Sequence, residues 1–258
     1  MSAAPRQALT VLVTSFNEAD NIVACLRSVA WADDILLVDS HSTDATLERA
    51  RGLVTRVLSH PYESPARQKN WGLAQALHPW VLILDADERV TPELEEEIRE
   101  LLAAAPRQDA FWIRRRNTFL GRTIRFGGWG SDRVIRLCRP DRARYPEVLV
   151  HEEMVVDGEI GELRGALLHH SVRSLGQYGE KMERFSSLWA EDRYRRGRRA
   201  SALTVALHTL GRFLRMYVLQ GGFLEGGHGL IVALQGSYSV FLKYAKLWER
   251  SRPRPRPE

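Results

Sequence analysis

Residues 80–90 are Trp-Val-Leu-Ile-Leu-Asp-Ala-Asp-Glu-Arg-Val. The first five are apolar and mostly branched, which is typical of a strand buried on both faces of a sheet. Asp85, Asp87 and Glu88 then follow at the carboxyl end of that strand, where open α/β sheets form their ligand crevice. Carboxylates suit Mg²⁺ or Mn²⁺, and those ions suit a substrate diphosphate. The simpler interpretation is an acidic turn before a helix that begins near Thr91-Pro92-Glu93, with Thr91 as its cap.

Three further strand-like segments precede this one, and helical segments separate them. The predicted strands cover residues 9–14, 35–38 and 53–58, and the helix after the third covers 66–77. Such alternation predicts an α/β fold with a mostly parallel, Rossmann-like sheet flanked by helices. The sequence contains neither of the usual glycine-rich phosphate loops after these strands, so a metal and basic side chains must hold any phosphate.

Composition limits the class of protein. The chain has 258 residues, of which 44% are hydrophobic, and this is enough for one large domain or for a domain with a smaller appendage. Cys25 and Cys138 lie far apart, so we expect neither a disulfide framework nor a zinc site. The first residues do not have the pattern of a secretion signal, which favours a cytoplasmic protein. A net charge of +5 favours an anionic partner.

Four spaced motifs point to a family. They are Ser15-Phe16-Asn17-Glu18, Val38-Asp39-Ser40-x-Ser42-Thr43-Asp44-x-Thr46, Ala66-Arg67-x-x-Asn70-x-Gly72 and Asp85-x-Asp87. In this order, over about residues 9–95, they resemble the signature of family 2 glycosyltransferases with the GT-A fold, and within it the lipopolysaccharide-core glucosyltransferase branch. The more usual Asp-Asp-Gly-Ser turn of the family is replaced here around Ser40-His41.

The resemblance implies roles for individual residues. Binding of the nucleotide sugar is expected at Ser15, Asn17, Glu18, Asp39, Asp44, Arg67, Asn70 and Asp85. The divalent metal, Mg²⁺ or Mn²⁺, is expected on Asp87, with Asp85 as the second candidate and as a contact to the ribose or donor sugar.

Inverting transfer also needs a base that takes the proton of the acceptor hydroxyl. The first candidate is Glu152 in Val150-His151-Glu152-Glu153-Met154, with His151 at the metal or the acceptor. Glu153 is the rival, and Asp132 is a second choice. Each of these residues can equally be an ordinary surface or core group.

Residues 111–149 combine many arginines with aromatic side chains. This mixture suits a sugar acceptor that carries phosphate, and Trp129 and Arg133 are selected as acceptor contacts. It also suits nucleic acid, but no nucleic-acid motif is present and we expect no such partner. For most of these arginines, a solvated face is the simpler interpretation.

The last third of the chain predicts a C-terminal amphipathic helical hairpin. Leucines at 203, 207, 210 and 214 share one helical face, and a glycine-rich break at 221–227 precedes a second amphipathic helix. The apolar faces predict either peripheral contact with an anionic membrane or packing against protein, including a homo-oligomer. Residues 251–258 are expected to be disordered.

The predicted organisation is a GT-A domain at 1–175, a helical region at 176–250 and the tail. The nucleotide-sugar half covers about 9–95 and the acceptor half about 96–175. The expected activity is inverting, metal-dependent transfer of glucose from a UDP-sugar to a cell-envelope glycan or glycolipid, such as lipopolysaccharide core, at the inner face of the cytoplasmic membrane. Alternatives are another glycolipid or exopolysaccharide transferase, and a non-catalytic nucleotide-binding or membrane-scaffolding protein.

Overall fold

The computed structural model describes residues 6–146 and 153–252. The longer strands are β1 (Leu9–Ser15), β2 (Asp34–Asp39), β3 (Arg56–Ser59), β4 (Trp80–Asp85), β5 (Glu88–Val90), β6 (Ala110–Phe119), β8 (Arg133–Cys138) and β11 (Ile160–Val172); the two-residue strands are β7 (Arg122–Thr123), β9 (Ala143–Arg144) and β10 (Val155–Val156). The helices are α1 (Ile22–Arg27), α2 (Thr46–Ala50), α3 (Pro65–Leu73), α4 (Pro92–Ala103), α5 (Leu175–Arg195), α6 (Ala202–Leu214) and α7 (Gly227–Ser251).

The main sheet has a parallel part and an antiparallel part. Strands β3, β2, β1 and β4 lie side by side and run parallel. The order continues through β8, β6, β11 and β5, and β8 runs antiparallel to β4. The predicted α/β class and the four parallel strands are confirmed, whereas the antiparallel strands were not predicted. Because parallel strands share one carboxyl edge, the loops after β1, β2 and β4 lie at the same edge.

Two local features show why the motif-bearing segments take these positions. A Cβ atom on Gly72 of α3 would lie 2.6 Å from Leu12 Cδ1, so a larger residue there would require the Leu12 side chain to shift. Thr91 caps α4, its hydroxyl accepting from Leu94 N at 3.3 Å, and Pro92 takes the first helical position as predicted.

The chain forms two compact units. The first contains residues 1–116 and 132–169, and the second contains 117–131 and 170–258. The second unit thus begins at 170 and includes residues 117–131, whereas the sequence suggested a break near 175. The core of the first unit consists of the apolar residues of β1, β2 and β4 with those of α1 and α4.

The second unit contains helices α5, α6 and α7, which confirms the predicted helical C-terminal region. A π-helical turn, Arg215–Leu219, and a 3₁₀ turn, Gly222–Glu225, join α6 to α7. A small core contains Phe119, Ile124, Val172, Met216 and Val232. Within residues 6–146 and 153–252, no helix is both long and apolar enough to cross a bilayer. Of the predicted tail, residues 253–258 lie outside the described residues.

Candidate active site

The acidic corner after β4 is held by basic side chains. Lys69 Nζ of α3 lies 3.1 Å from Asp85 Oδ1, and Thr14 Oγ1 donates to the same oxygen at 3.4 Å. Arg136 of β8 forms a short ion pair with Asp85 Oδ2. Asp85 therefore lies between a lysine and an arginine, and these two cations compete with any metal for its oxygens.

Glu88 of β5 is the fully buried member of this corner, with 0% exposure. It accepts from the backbone N–H of Asp85 at 3.0 Å and from Arg136 at 2.9 Å. Arg115 of β6 lies 3.5 Å from it and also binds both oxygens of Asp132, at 2.9 and 3.0 Å. Buried charges persist when they are paired in this way, so the two arginines fix the shape of the Asp-Ala-Asp turn.

The ion pair between Asp85 and Arg136 determines the protonation state of both groups. Burial alone would raise the pKa of Asp85, but Arg136 and then Lys69 outweigh it and hold the pKa well below its ordinary value. Burial likewise opposes the charge on Arg136, yet Asp85 and Glu88 raise its pKa, and it stays charged. Asp85 and Arg136 are therefore both ionised at neutral pH.

Replacing Arg136 by leucine is expected to cost about 3–5 kcal/mol of folding stability, because Asp85 and Glu88 would lose the cation that compensates their buried charge. In the wild type, the stabilisation is present above the ordinary carboxyl pKa and is lost as pH falls through the lowered value of Asp85. The difference between variant and wild type should therefore shrink in acid. Urea unfolding at pH 7 and at about pH 2, below the ordinary carboxyl pKa, measures this.

The matched control is Arg133→Leu on the same strand, whose side chain is 53% exposed. That change should cost no more than about 1 kcal/mol at either pH. An equal cost for the two variants would contradict the role assigned to Arg136.

The second aspartate of the motif faces a histidine that was not selected from the sequence. His169 Nε2 of β11 lies 3.4 Å from Asp87 Oδ2, and both side chains are largely buried. The antiparallel register of β11 and β5 places His169 opposite Glu88. Two ligands of one Mg²⁺ or Mn²⁺, each about 2.1 Å from the ion, lie roughly 3 Å apart, so this pair of donors fits a divalent cation.

No cluster of three or more His, Cys, Asp or Glu side chains with metal-binding geometry occurs among the described residues. Mg²⁺ sites commonly use one or two protein ligands and complete their shell with substrate phosphates and water. Asp87 with His169 is therefore an arrangement that fits such an ion, and Asp85 is occupied by its ion pairs.

The loops after β1 and β2 are bound to each other. Asn17 has a positive φ of 52°, and its Oδ1 accepts from Thr43 N at 2.8 Å. Asp44 accepts from Ala19 N at 3.1 Å and from Thr46 N at 2.9 Å. Burial would raise the pKa of Asp44, but the hydrogen bonds from Thr46 and Ala19 lower it overall. The two motifs thus build one rigid surface at the carboxyl edge of the sheet.

Asp39 lies beneath this surface with 0% exposure. Its oxygens accept from Ser15 Oγ at 2.7 Å, Ser42 N at 2.7 Å and Ser42 Oγ at 2.6 Å. Glu18 is half-buried and accepts from Asn21 Nδ2 at 2.7 Å. Ser15 and Asp39, predicted as nucleotide contacts, are therefore seen to shape the turn.

The predicted residues of α3 take two different positions. Asn70 bonds both backbone groups of Tyr145, donating to its carbonyl at 2.8 Å and accepting from its N–H at 2.8 Å. Arg67 is exposed and pairs with Glu63 one helical turn earlier. Lys69, which was not selected, is the residue of this helix that contacts the acidic corner.

An open cavity of about 190 Å³ adjoins the acidic corner. Its wall includes Lys69, Asp85, Trp112, Arg133, Arg136 and Glu153. The guanidinium of Arg133 lies 4.9 Å from the centroid of the Trp112 ring. An aromatic face beside an arginine suits a sugar ring that carries an anionic group.

The structure describes two of the four predicted catalytic residues, Glu153 and Asp132. Glu153 is exposed and lines the cavity. Asp132 is held by Arg115, which contacts both of its carboxylate oxygens. His151 and Glu152 lie outside the described residues. Trp129 belongs to the second unit, where its ring packs edge-on against Phe119 at 6.0 Å.

Comparison with known proteins gives the family of the chain. Residues 10–143 match the family model described as glycosyl transferase family 2. The lipopolysaccharide core biosynthesis glycosyltransferase LpsC of Rhizobium meliloti (strain 1021) is 30% identical, over 98% of this chain and 96% of its own. An uncharacterized glycosyltransferase of Rickettsia typhi is 27% identical, over 94% of this chain and 87% of its own.

Two solved structures share the fold. A mannosyltransferase of Pyrobaculum calidifontis in complex with GDP-Man and Mn²⁺ has a TM-score of 0.55 at 15% identity, covering 96% of this chain and 89% of its own. The glucosyl-3-phosphoglycerate synthase of Mycobacterium tuberculosis in complex with phosphoglyceric acid has a TM-score of 0.50 at 17% identity, covering 76% and 82%. The predicted GT-A fold is confirmed, and the chain belongs to glycosyl transferase family 2.

Proposed function

We propose that this chain is an inverting hexosyltransferase that moves glucose from UDP-glucose to a cell-envelope glycan or glycolipid, with lipopolysaccharide core as the first candidate. The observation that carries the proposal is the pairing of Asp87 with His169 at the carboxyl edge of the parallel strands, beside a basic and aromatic cavity. The Rhizobium relative, named for lipopolysaccharide core biosynthesis, supports the acceptor class.

The donor is proposed to bind across the loops after β1, β2 and β4. Asn17, Asp44 and the backbone around them are rigidly held, as a binding surface for the nucleotide needs to be. Lys69 lies 3.1 Å from Asp85 and is proposed to contact the donor diphosphate as well. Preorganised charge of this kind stabilises the negative charge that develops on a departing nucleoside diphosphate.

Asp87 and His169 are proposed to hold Mg²⁺ or Mn²⁺ together with the donor phosphates. The mannosyltransferase neighbour was solved with Mn²⁺ and a nucleotide sugar, which supports this choice of ion. When bound, the cation would neutralise charge on the leaving diphosphate. The negative charge of Asp87 and the neutral form of His169 are the protein's contribution, because both ligands must be deprotonated to bind.

The acceptor is proposed to enter the cavity beside Trp112 and Arg133. Glu152 remains the proposed base, with Glu153, which lines the cavity, as the alternative. The base takes the proton of the acceptor hydroxyl while that oxygen bonds to the anomeric carbon. The bond from the anomeric carbon to the diphosphate oxygen breaks, and the nucleoside diphosphate leaves with the electron pair. Sugar transfer at the cytoplasmic face of the membrane is consistent with a nucleotide-sugar donor.

A panel of nucleotide sugars tests the proposal. UDP-glucose with Mn²⁺ should stabilise the protein against heating by about 2.7 kcal/mol at a concentration one hundred times its Kd. GDP-mannose and dTDP-glucose should stabilise it much less, and EDTA should remove the effect.

Stabilisation by a nucleotide sugar, without sugar transfer to lipopolysaccharide core or any other envelope glycan, would instead favour a non-catalytic nucleotide-binding protein. If none of these donors raises the melting temperature, the proposed function is wrong.

A further inference from the structure

Helices α6 and α7 expose their apolar side chains to solvent. Leu203 is 66% exposed, Leu207 is 61% exposed and Leu219 in the connecting turn is 80% exposed. The exposed large apolar side chains of this segment are Leu203, Leu207, Leu210, Leu214, Val218, Leu219, Phe223, Leu224, Leu230, Ile231, Leu234, Tyr238, Phe241 and Trp248. We call these side chains the apolar face of the hairpin. So many exposed large apolar side chains within one segment are unusual on a soluble monomer and favour a docking surface.

Lysines on the polar side of α7 face α5. The exposure of apolar side chains on α7 therefore results from the way α7 packs against α5. Lys246 Nζ donates to the carbonyl oxygen of Glu183 at 2.9 Å and to the hydroxyls of Ser186 and Ser187 at 2.8 Å. Lys243 Nζ lies 5.9 Å from the centroid of the Trp189 ring. While α7 bonds α5 through Lys246, several of its apolar side chains are left on the outside, among them Leu234 and Phe241. Outward-facing apolar side chains of this kind are typical of helices that contact an apolar phase.

The charges around the apolar face indicate what covers it. Between residues 202 and 248 the sequence contains one acidic residue, Glu225. Glu225 is buried and accepts from the backbone N–H groups of Arg125 at 2.7 Å and Phe126 at 3.2 Å. Arg215 is exposed. Within residues 202–248 the solvent side therefore combines apolar side chains with positive charge and has no exposed carboxylate, and the exposed Glu249 lies in the last turn of α7.

From this charge pattern we infer that the apolar face docks on the interface of an anionic lipid bilayer. Leucines would enter the acyl boundary while Arg215 and the arginines before α6, Arg198 and Arg199, meet headgroup phosphates. A second copy of the same surface would offer these arginines no exposed carboxylate from residues 202–248, because a two-fold interface pairs the same patch with itself. Tyr238 and Trp248 are of the kind enriched at headgroup depth. The helices would lie on the membrane, in keeping with the lack of a spanning helix in the part of the chain that the structure describes.

The test measures binding of the full-length protein to vesicles of phosphatidylcholine with and without phosphatidylglycerol, by flotation at low and high salt. The wild type should float with anionic vesicles, and binding should weaken as salt rises, since the attraction acts within a Debye length of roughly 10 Å. Leu207→Asp with Leu214→Asp should reduce binding at least about tenfold, because two exposed anchors become charges that lipid repels. Arg215→Glu should weaken binding to anionic vesicles only.

Leu77→Asp is the matched control. Leu77 is 66% exposed, as much as Leu203, but lies in the first unit, so this variant should bind vesicles as the wild type does. Melting curves check that each variant folds. Failure of the wild type to float overturns the inference, as does equal flotation of the double variant. A wild-type dimer that Leu207→Asp with Leu214→Asp converts to monomer, without vesicle binding, would assign the face to a second copy. These outcomes do not depend on donor or acceptor, so the proposed function is tested separately.

Discussion

Asp87→Ala is expected to abolish metal-dependent donor binding and to lower sugar transfer by at least about 100-fold. The carboxylate is one of two protein ligands proposed for the divalent cation, and His169 alone provides too few donors for an ion that otherwise depends on water and phosphate. Isothermal titration of Mn²⁺ in the presence of UDP measures the binding loss, and donor hydrolysis measures the catalytic loss.

The fold should survive this change. Asp87 lies in the turn between β4 and β5, outside the apolar core, so the melting temperature without metal should stay close to the wild-type value. His169→Ala should weaken Mn²⁺ binding in the same assay, because it removes the other donor. Asp141→Ala removes an exposed carboxylate of the first unit and serves as the control of equal charge change. Unchanged Mn²⁺-dependent transfer in Asp87→Ala would sink the metal assignment.

Glu152→Gln is expected to lower sugar transfer by roughly a hundredfold to ten-thousandfold, which is the usual contribution of a general base. The amide keeps the shape of the side chain but cannot take the proton of the acceptor hydroxyl. Donor affinity should change little, since the donor is proposed to bind at the carboxyl edge of β1, β2 and β4. Single-turnover transfer and thermal stabilisation by UDP-glucose separate the two quantities.

Glu153→Gln is the matched variant, one residue further along the chain. It should retain most activity if Glu152 is the base. The reverse pattern, with Glu153→Gln inactive and Glu152→Gln active, would move the role to the residue that lines the cavity and leave the mechanism intact. Asp132→Asn should affect folding more than chemistry, because it breaks a two-oxygen contact with Arg115.

Local sequence patterns were enough for the parallel half of the fold. The run before Asp85 is apolar without alternation because β4 lies between neighbours on both sides and is covered on both faces. Thr91 and Pro92 mark the start of α4 through groups within four residues of each other. Such contacts are short in sequence, so a pattern of neighbouring residues predicts them.

The sequence by itself therefore determined the succession of β1 to β4 along the chain, the strands that end in Asp39 and Asp85, and the family. Only the tertiary structure decided which groups meet those loops. Arg136 and His169 reach the acidic corner because β8 and β11 join the sheet antiparallel, and register between strands far apart in the chain leaves no periodic trace in sequence. The outward direction of the apolar face was likewise decided by tertiary packing, because the lysines of α7 bond α5, and an amphipathic pattern alone does not say which side turns inward.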